Sequence, residues 1–301
     1  MDLPRFEHAV AFYPRSRVTL CIFEAVKMSL SAKALAIGTA TLALSVKATV
    51  ISPDARSLFK RDPPAALPGC ATDADKKWQP AMDFDTDGCY NTPAIDAAGN
   101  VATGLDCGGA VNGHCRDLSD LQNNNVYSRA RCNNGWCGFI YGYYFEKDQT
   151  IDGSCGVGHK NDWEHIAIWV KDGDEMPSYV GVSQHGNYEV KPASEVRFEG
   201  THAKVVYHKE GGLTHDFRFA NEDDDNIENH TGQWFFGDLV GFLGFPSTEL
   251  RDTMLNNDWG SALPDLREDV FPGKLEKSKG GNDIPTDTNV DGENSPGQPS
   301  C

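Results

Sequence analysis

The sequence predicts a mainly β protein, a central β-sandwich with flanking helices and loops that are stapled by disulfides. Short apolar segments alternate with polar positions and are separated by Gly, Asn and Pro, which is typical of sandwich strands. The chain holds nine cysteines, most of them in its loop-rich middle part. With 301 residues, 39% of them hydrophobic, it is long enough to bury one sizeable core.

Two neighbouring segments carry the clearest strand pattern. Gly138–Phe145 (GFIYGYYF) places alternate aromatic residues on one face, and Asp162–Val170 forms the next strand. Residues 81–137 are predicted to be mostly loops. Further elements are predicted as strands at Tyr179–Gln184, Ala203–His208 and Leu213–Ala220, helices at Asp117–Gln122 and Ser247–Asn256, and core tryptophans at Trp163, Trp169 and Trp234.

The charge of the chain excludes one class of partner. The formal net charge is −17, and an acidic surface repels the phosphates of nucleic acids. The same charge argues against electrostatic adsorption to anionic lipid, but it leaves open a neutral or sugar-bearing head group. We therefore expect no nucleic acid partner.

The beginning of the chain indicates secretion. Ala34–Val46 is apolar but too short to span a bilayer, so we predict no transmembrane segment. Small residues near Ala48 resemble a cleavage site, which predicts a signal peptide at residues 28–48 and an extracellular protein. Residues 1–27 do not fit a signal sequence and are predicted to be a non-native upstream extension.

The remaining boundaries follow from composition. Residues 49–80 are predicted to be a propeptide or linker, in which the dibasic pair Lys60-Arg61 is either a processing site or a chance pair. Residues 81–276 form the predicted sandwich domain, and residues 277–301 form a predicted disordered acidic tail. Asn229 begins an N-glycosylation sequon in a polar loop. Eight cysteines follow the signal peptide and indicate disulfides, whose connectivity spacing does not give.

One constellation of residues indicates a binding site. In a strand, Asp162 and Glu164 point to the same face, and His159 lies just before them. Asp148 follows the aromatic strand, so a hairpin between the two strands would bring it back close to His159. Three carboxylates and one imidazole would then converge at one end of a sheet.

Carboxylates held this close repel one another and need protons or a cation. Oxygen-rich ligation favours Mg²⁺ or Ca²⁺, with Mn²⁺ next and Zn²⁺ last. The alternative is a solvated cluster in which Asp162 and Glu164 cap turns or pair with Lys147 and Lys160. Spacing does not decide between the two.

Several ordered motifs resemble the necrosis- and ethylene-inducing peptide-like proteins, the NLPs. Gly158–Glu164 (GHKNDWE) is similar to the family heptapeptide Gly-His-Arg-His-Asp-Trp-Glu. The resemblance covers roughly Asp83 to Leu275. Other matching stretches are GCYNTPAIDAAGN (Gly88–Asn100), IYGYYFEKDQ (Ile140–Gln149), VSQHGNYEV (Val182–Val190) and LRDTMLNNDWGSALP (Leu250–Pro264).

The resemblance implies a secreted effector, and we expect a fungal source. Family members of the toxic kind bind a glycosylated sphingolipid of the plant plasma membrane and cause leakage, and plant immune receptors detect the same region. Carried over by residue, it implies a divalent cation held by Asp148, His159, Asp162 and Glu164. It also implies a disulfide between Cys89 and Cys115, no enzymatic activity, and a monomer.

Three departures from the family pattern surround the implied glycan site. Lys160 replaces Arg, Asn161 replaces a second His, and the loop before His215 reads Glu210-Gly211-Gly212. Lys160, Asn161, Trp163 and His185 are predicted to lie next to the glycan. His202, His208 and His215 are predicted to be structural or solvent-facing.

Three functions therefore compete. The first is a cytolytic effector that damages plant membranes. The second is a non-cytolytic NLP that binds a glycan or is perceived by the host. The third is a metal-dependent hydrolase or lyase with Glu164 as general base. It ranks last because the sequence has no nucleophile elbow and no His-Glu-x-x-His motif.

Overall fold

The computed structural model describes residues 63–301, and the predictions for residues 1–62 lie outside them. These include the upstream extension, the signal peptide and the Lys60-Arg61 pair. The described helices are α1 (Asp73–Trp78), α2 (Leu118–Gln122), α3 (Thr248–Leu255) and α4 (Phe271–Lys277). The strands are β1 (Ala81–Phe84), β2 (Asn125–Asn133), β3 (Trp136–Asp148), β4 (His159–Lys171), β5 (Tyr179–Gln184), β6 (Asn187–Pro192), β7 (Phe198–Glu199), β8 (His202–Lys209), β9 (His215–Phe219) and β10 (Asp238–Gly241).

The strands form two sheets. The larger sheet has the order β10-β2-β3-β4-β5-β6, and only its β10–β2 pair is parallel. The smaller sheet centres on β8, which pairs with β1 in parallel and with β7 and β9 in antiparallel fashion. The predicted central sandwich is confirmed. The prediction that residues 81–137 are mostly loops is wrong for Ala81–Phe84 and Asn125–Asn133, which form β1 and β2.

The core between the sheets uses the predicted strand faces. Phe139, Tyr141, Tyr143 and Phe145 of β3 are buried there beside Ile166 and Ile168 of β4. The small sheet contributes Val205, Tyr207 and Phe217. The rings of Phe145 and Tyr207 stack with centroids 3.8 Å apart, which fixes the spacing of the sheets near the end of β3.

A second core covers the outer face of the large sheet. Tyr144, Trp163 and Trp169 point away from the small sheet and pack with Met254 of α3 and Leu275 of α4. Both faces of β3 and β4 are therefore buried, which accounts for their nearly unbroken burial. Trp163 and Trp169 are core residues as predicted. Trp234 is only half-buried, with the Lys204 ammonium 5.0 Å from its ring centroid.

The linker prediction is wrong for residues 63–80. Leu67 is buried, its N–H donates to Asn125 Oδ1 at 2.8 Å, and its carbonyl accepts from Asn125 Nδ2 at 2.9 Å. Thr72 then caps α1, because its hydroxyl accepts from Asp75 N–H while Asp75 accepts from Thr72 N–H. The Pro-rich composition of this segment suggests a linker, but the segment packs against the folded domain.

The prediction of a disordered tail is also wrong. Ile284 and Thr288 are buried, and Arg131 donates to the Thr288 carbonyl. Asn133 Nδ2 donates to the carbonyls of Asp287 at 2.9 Å and Val290 at 2.7 Å. Composition predicts disorder because the segment has few apolar residues, but side-chain hydrogen bonds and a disulfide hold it.

All eight cysteines of the described region are paired. The bridges are Cys70–Cys301, Cys89–Cys115, Cys107–Cys155 and Cys132–Cys137. The Cys89–Cys115 pair confirms the bridge that the family resemblance implied. Within residues 63–301, no helix is both long enough and apolar enough to cross a membrane.

The glycosylation prediction at Asn229 does not fit the folded chain. Asn229 is 4% exposed, and its amide nitrogen donates to Asp83 Oδ1 at 2.9 Å and to the Gln233 carbonyl at 2.8 Å. The nitrogen that a glycan would require is thus engaged inside the fold. The sequon lies in a polar loop, but the loop turns its asparagine inward.

We expect the Cys70–Cys301 bridge to contribute more stability than the Cys132–Cys137 bridge. It spans 231 residues rather than 5, and in the chain-entropy treatment these loops correspond to about 5 and about 2 kcal/mol, the former being an upper bound. Replacing both cysteines of each pair by serine and measuring urea unfolding tests this. Equal midpoints for the two double variants would contradict the expectation.

Candidate functional site

The β3–β4 hairpin positions the predicted ligands. Asp148 is the last residue of β3 and pairs directly with His159, the first residue of β4. Asp162 pairs with Phe145 and Glu164 with Tyr143, so both carboxylates lie on the inner face of the sheet. The connecting loop is held by the Cys107–Cys155 disulfide and by Thr150 Oγ1, which donates to the Cys155 carbonyl at 2.9 Å. The hairpin predicted from the sequence is confirmed.

The predicted ligands meet in one cavity of about 370 Å³. Asp148, His159, Asp162 and Glu164 all line it, as do Trp163 and His185. The rest of the wall comes from the neighbours of these residues and from other segments of the chain. These contribute His165, Ser183, Gly186, Asn187, Thr214, His215, Ser261, Ala262, Leu263, Asp265, Val270 and Lys274.

Asp148 is buried and only partly satisfied. Its Oδ1 accepts from the backbone N–H of His215 at 3.1 Å and lies 2.7 Å from His215 Nδ1. Its Oδ2 accepts no hydrogen bond from any of residues 63–301. A buried carboxylate oxygen without a donor is rare and costs free energy, so it marks a place for a missing positive partner.

Asp162 and Glu164 lie in each other's electrostatic field. Burial, and then the charge of Asp148, raise the pKa of Asp162 to about 8. Enclosure by protein, and then the charge of Asp162, raise the pKa of Glu164 well above its usual range. Asp162 accepts from Trp163 N–H at 2.9 Å and from the Tyr207 hydroxyl at 3.3 Å, while Glu164 accepts from the Ser183 hydroxyl.

The solvated-cluster alternative does not match this arrangement. Lys147 Nζ donates to Gln149 Oε1 at 2.8 Å and to the Ala110 carbonyl at 3.2 Å. Lys160 Nζ pairs with Asp106 at 2.9 Å. Neither lysine pairs with Asp162 or Glu164. These two carboxylates therefore lack the lysine partners that a surface cluster would use.

His159 has a defined ring orientation. Its Nδ1 lies 2.9 Å from the Asn161 carbonyl, and donation to that oxygen places the proton on Nδ1. Nε2 then keeps its lone pair for a ligand. Three carboxylates and one such imidazole form a donor set that fits Mg²⁺, Ca²⁺ or Mn²⁺ better than Zn²⁺.

Lys160 and Asn161 do not line the cavity, so their predicted position next to a glycan stays a prediction. Asn161 has a positive φ of 59°, and its Oδ1 accepts from the Tyr144 hydroxyl at 2.7 Å on the outer face of the sheet. Lys160 turns to Asp106. Asn161 therefore lies on the outer face with Trp163, as strand alternation from the inward-facing Asp162 requires.

Sequence reasoning missed several residues of this cavity. His215 orients Asp148, although it was predicted to be structural or solvent-facing. Asp265 accepts from Tyr188 at 2.9 Å and pairs with Lys274 Nζ at 2.8 Å, and its N–H donates to His165 Nε2 at 2.8 Å. Burial lowers the pKa of His165 to about 4. One local feature of the sequence could have pointed to His215. It stands next to Asp216 at the start of β9.

Comparison with known proteins places the chain among necrosis-inducing effectors. The chain is 30% identical over 223 residues to NLP effector protein Pc107869 of Phytophthora capsici, covering 71% of this chain but only 60% of that relative. It is 32% identical over 222 residues to NLP effector protein 3 of the same organism, covering 71% of this chain and 87% of the relative. Both relatives come from an oomycete, so they give no support to the expected fungal source.

A solved structure and a family model agree with these relatives. The structure of NLPPya in complex with glucosamine matches with a TM-score of 0.58 and 26% identity, over 71% of this chain and 96% of that one. The model of the family described as Necrosis inducing protein (NPP1) matches residues 72–278. The chain therefore belongs to the NPP1 family of necrosis-inducing proteins, the NLPs.

Proposed function

We propose that this protein is a secreted NLP-type effector whose cavity binds a divalent cation and, with it, the sugar head group of a plant plasma-membrane glycosylated sphingolipid. Membrane damage, necrosis and an immune response that involves a host receptor would follow. The observation that carries the proposal is the buried carboxylate set at the end of the β3–β4 hairpin, with an unsatisfied Asp148 oxygen beside Asp162. Asp148, His159, Asp162 and Glu164 would hold the ion, with Mg²⁺ or Ca²⁺ preferred.

Charge supports the cation. The charge of Asp148 raises the pKa of Asp162, and the charge of Asp162 raises the pKa of Glu164. Carboxylates in this situation are stabilised either by protons or by a metal. A cation of charge +2 removes the repulsion between Asp148, Asp162 and Glu164 without protonating them. When bound, it would supply a Lewis-acidic centre that sugar hydroxyls can coordinate.

The shape and lining of the cavity support a sugar. A volume of about 370 Å³ lies within the range of small-molecule sites. Ser183, Asn187, Asp265 and Lys274 supply hydrogen-bonding groups around it, as hydroxyl-rich ligands require. The matched NLPPya structure contains glucosamine, so a related protein accepts a sugar of this size.

The chain's own residues orient the ligand set. His215 holds Asp148 Oδ1, Ser183 holds Glu164, and the Asn161 carbonyl fixes the His159 ring. These hydrogen bonds leave the remaining oxygens and the His159 Nε2 lone pair for the cation. In this proposal the chain's own hydrogen bonds would orient the ligands before the cation enters.

Two other functions remain as alternatives with different observations behind them. Toxic proteins that the chain resembles often carry a bulky aromatic residue near the loop before His215. Glu210–Gly212 contains none, which favours a glycan-binding NLP that does not lyse membranes. For a hydrolase or lyase, Glu164 would act as general base, but its raised pKa favours the protonated acid when no cation is present. The matched relatives are named as effectors, not as enzymes.

Replacing one ligand should abolish lysis. We expect Asp162→Asn to weaken divalent cation binding by about 10- to 100-fold or more, since it removes a direct ligand. Leakage from eudicot leaf tissue and from vesicles that contain glycosylated sphingolipid should fall with it. Asp174→Asn, at an exposed turn, is the matched control and should behave as the natural protein.

Each outcome of that experiment separates the alternatives. Cation-dependent leakage that Asp162→Asn abolishes supports the cytolytic effector. Glycolipid binding without leakage supports the non-lytic NLP, and turnover of a soluble glycan supports the enzyme. An unchanged cation titration in Asp162→Asn would remove the metal site from the proposal.

Removing the cation should make stability fall with rising pH. The folded pKa of Asp162, about 8, exceeds the ordinary aspartate value, so the folded state binds this proton more tightly than the unfolded state. In EDTA, the stability from this group is complete below about pH 4 and is lost as pH rises through 8.

Added Mg²⁺ or Ca²⁺ should reverse that loss. At about 100 times its Kd, an ion stabilises by about 2.7 kcal/mol, and it should do so more at pH 8 than at pH 5, where protons compete. Thermal unfolding at both pH values, with and without the ion, measures the effect. A shift that is equal at both pH values would contradict it, and Asp162→Asn should show a clearly smaller shift at the same ion concentration.

Restoring the family residues at the two departures should leave lysis unchanged. Lys160→Arg and Asn161→His alter side chains outside the cavity, so leakage per folded molecule should stay within about twofold. Asn161→His should lower stability by about 1 kcal/mol, because it removes the acceptor of the Tyr144 hydroxyl. A tenfold change in leakage at equal folding would show that these positions act on the ligand.

A further inference from the structure

A second group of potential ligands lies beside the cavity and shares no residue with the predicted four. His185, Glu210 and Asp216 each offer one ligand atom, and these three atoms all lie within 4.8 Å of one another. We refer to them as the mouth triad. The proposed function does not use Glu210 or Asp216 at all.

Three separate segments build the mouth triad. His185 occupies the tight turn between β5 and β6 with a positive φ of 48°, which directs its ring towards β9. Glu210 follows β8, in a loop closed by a hydrogen bond from its N–H to the Thr214 carbonyl at 3.1 Å. Asp216 lies in β9 opposite His208. The fold holds the three together without any local sequence motif.

The distances suit a shared ion. His185 Nε2 lies 2.7 Å from Glu210 Oε2 and 3.6 Å from Asp216 Oδ2. Ligands of a tetrahedral ion with bonds of about 2.1 Å lie about 3.4 Å apart. A shift of less than 1 Å at the flexible Glu210 side chain would therefore admit a metal between them.

Asp216 provides an independent indication of a missing partner. Its side chain is 1% exposed, and neither carboxylate oxygen accepts a hydrogen bond from residues 63–301. His208 Nε2 lies 3.0 Å from Asp216 Oδ1, and His185 Nε2 lies 3.6 Å from Asp216 Oδ2. A buried carboxylate oxygen normally accepts a hydrogen bond or contacts a cation. Asp216 Oδ2 accepts no hydrogen bond from the described residues, so it marks a position that a cation could occupy.

The surroundings add negative rather than positive charge. Glu164 is close enough for the charge of Asp216 to help raise its pKa. The cavity wall nearby also contains Asp148. A cation at the mouth triad would therefore be attracted by the whole acidic cavity, beyond its direct ligands.

We propose that His185, Glu210 and Asp216 form a second cation site at the cavity mouth, selective for a borderline ion such as Zn²⁺ over Mg²⁺. One imidazole nitrogen with two carboxylate oxygens is the mixed donor set that such ions prefer, whereas the deeper site is richer in oxygen. The side chains of His185 and Glu210 are 45% and 52% exposed, so a coordination position stays open to solvent. The ion would tie the β5–β6 turn to the loop after β8.

Without an ion, His185 itself can supply the charge. Its hydrogen bond to Glu210 raises the pKa of His185, and the protonated ring would then lie between the two carboxylates. This arrangement competes with the metal and predicts no saturable zinc binding. The two are therefore separated by a direct titration.

The test uses the full secreted protein, freed of metal and then kept in excess MgCl₂ to fill the deeper site. Calorimetric titration with ZnCl₂ should show one equivalent bound by the natural protein. Glu210→Gln and Asp216→Asn should each weaken that event at least tenfold, while Asp162→Asn and the surface control Glu249→Gln should retain it. Glu210 lies on an exposed loop, so Glu210→Gln should fold even if Asp216→Asn does not.

Three results would overturn the second site. The first is the absence of zinc binding in the natural protein, which would favour protonated His185. The second is a titration of Glu210→Gln that matches the natural protein, which would place the zinc elsewhere. The third is loss of the zinc event in Asp162→Asn, which would mean one shared site. Failure of the proposed function would instead appear as absent Mg²⁺ stabilisation or leakage, with the zinc event unaffected.

Discussion

The pairing of β3 with β4 is the constraint on which the site depends. Two strands of 13 residues run side by side, and their register sets Asp148 against His159 and turns Asp162 and Glu164 towards the small sheet. A slip of one residue in β4 would send these carboxylates to the outer face while the aromatic residues of β3 stay inside. Because both faces of this pair are packed, the core that stabilises the fold also enforces the geometry of the site.

That geometry holds charge where packing alone would favour apolar side chains. Asp148 and Asp162 are buried next to Phe145 and Tyr207, and hydrogen bonds from His215 and Tyr207 satisfy only some of their oxygens. The raised pKa of Asp162 reflects the remaining free-energy cost of burying its charge. Such a local conflict between burial and charge is typical of a functional site, where stability elsewhere compensates. Four disulfides and two cores supply that stability here.

The sequence could predict whatever depends on alternation within one hairpin. It placed Asp148, His159, Asp162 and Glu164 together, because strand period and a short connection decide their meeting. It could not place His215 or Asp265, which reach the cavity from the other sheet or from beyond it. The family resemblance placed Asn161 next to a glycan, but strand alternation turns its side chain to the outer face, where it accepts from Tyr144. It also took the segment that ends at Cys301 for a disordered tail, because composition does not record which cysteines pair.

The effect of a departure from the family motif therefore depends on where the side chain lies in the structure. It does not depend on whether the residue belongs to the heptapeptide. Lys160 and Asn161 stand inside the heptapeptide, but their side chains bind Asp106 and Tyr144 and leave the cavity. Glu210 stands outside the heptapeptide, but its carboxylate meets His185 at the cavity mouth. The charge of Glu210 therefore lies beside the cavity that contains the hairpin carboxylates. The loop after β8, rather than the altered heptapeptide, is where this chain can differ most in what it admits.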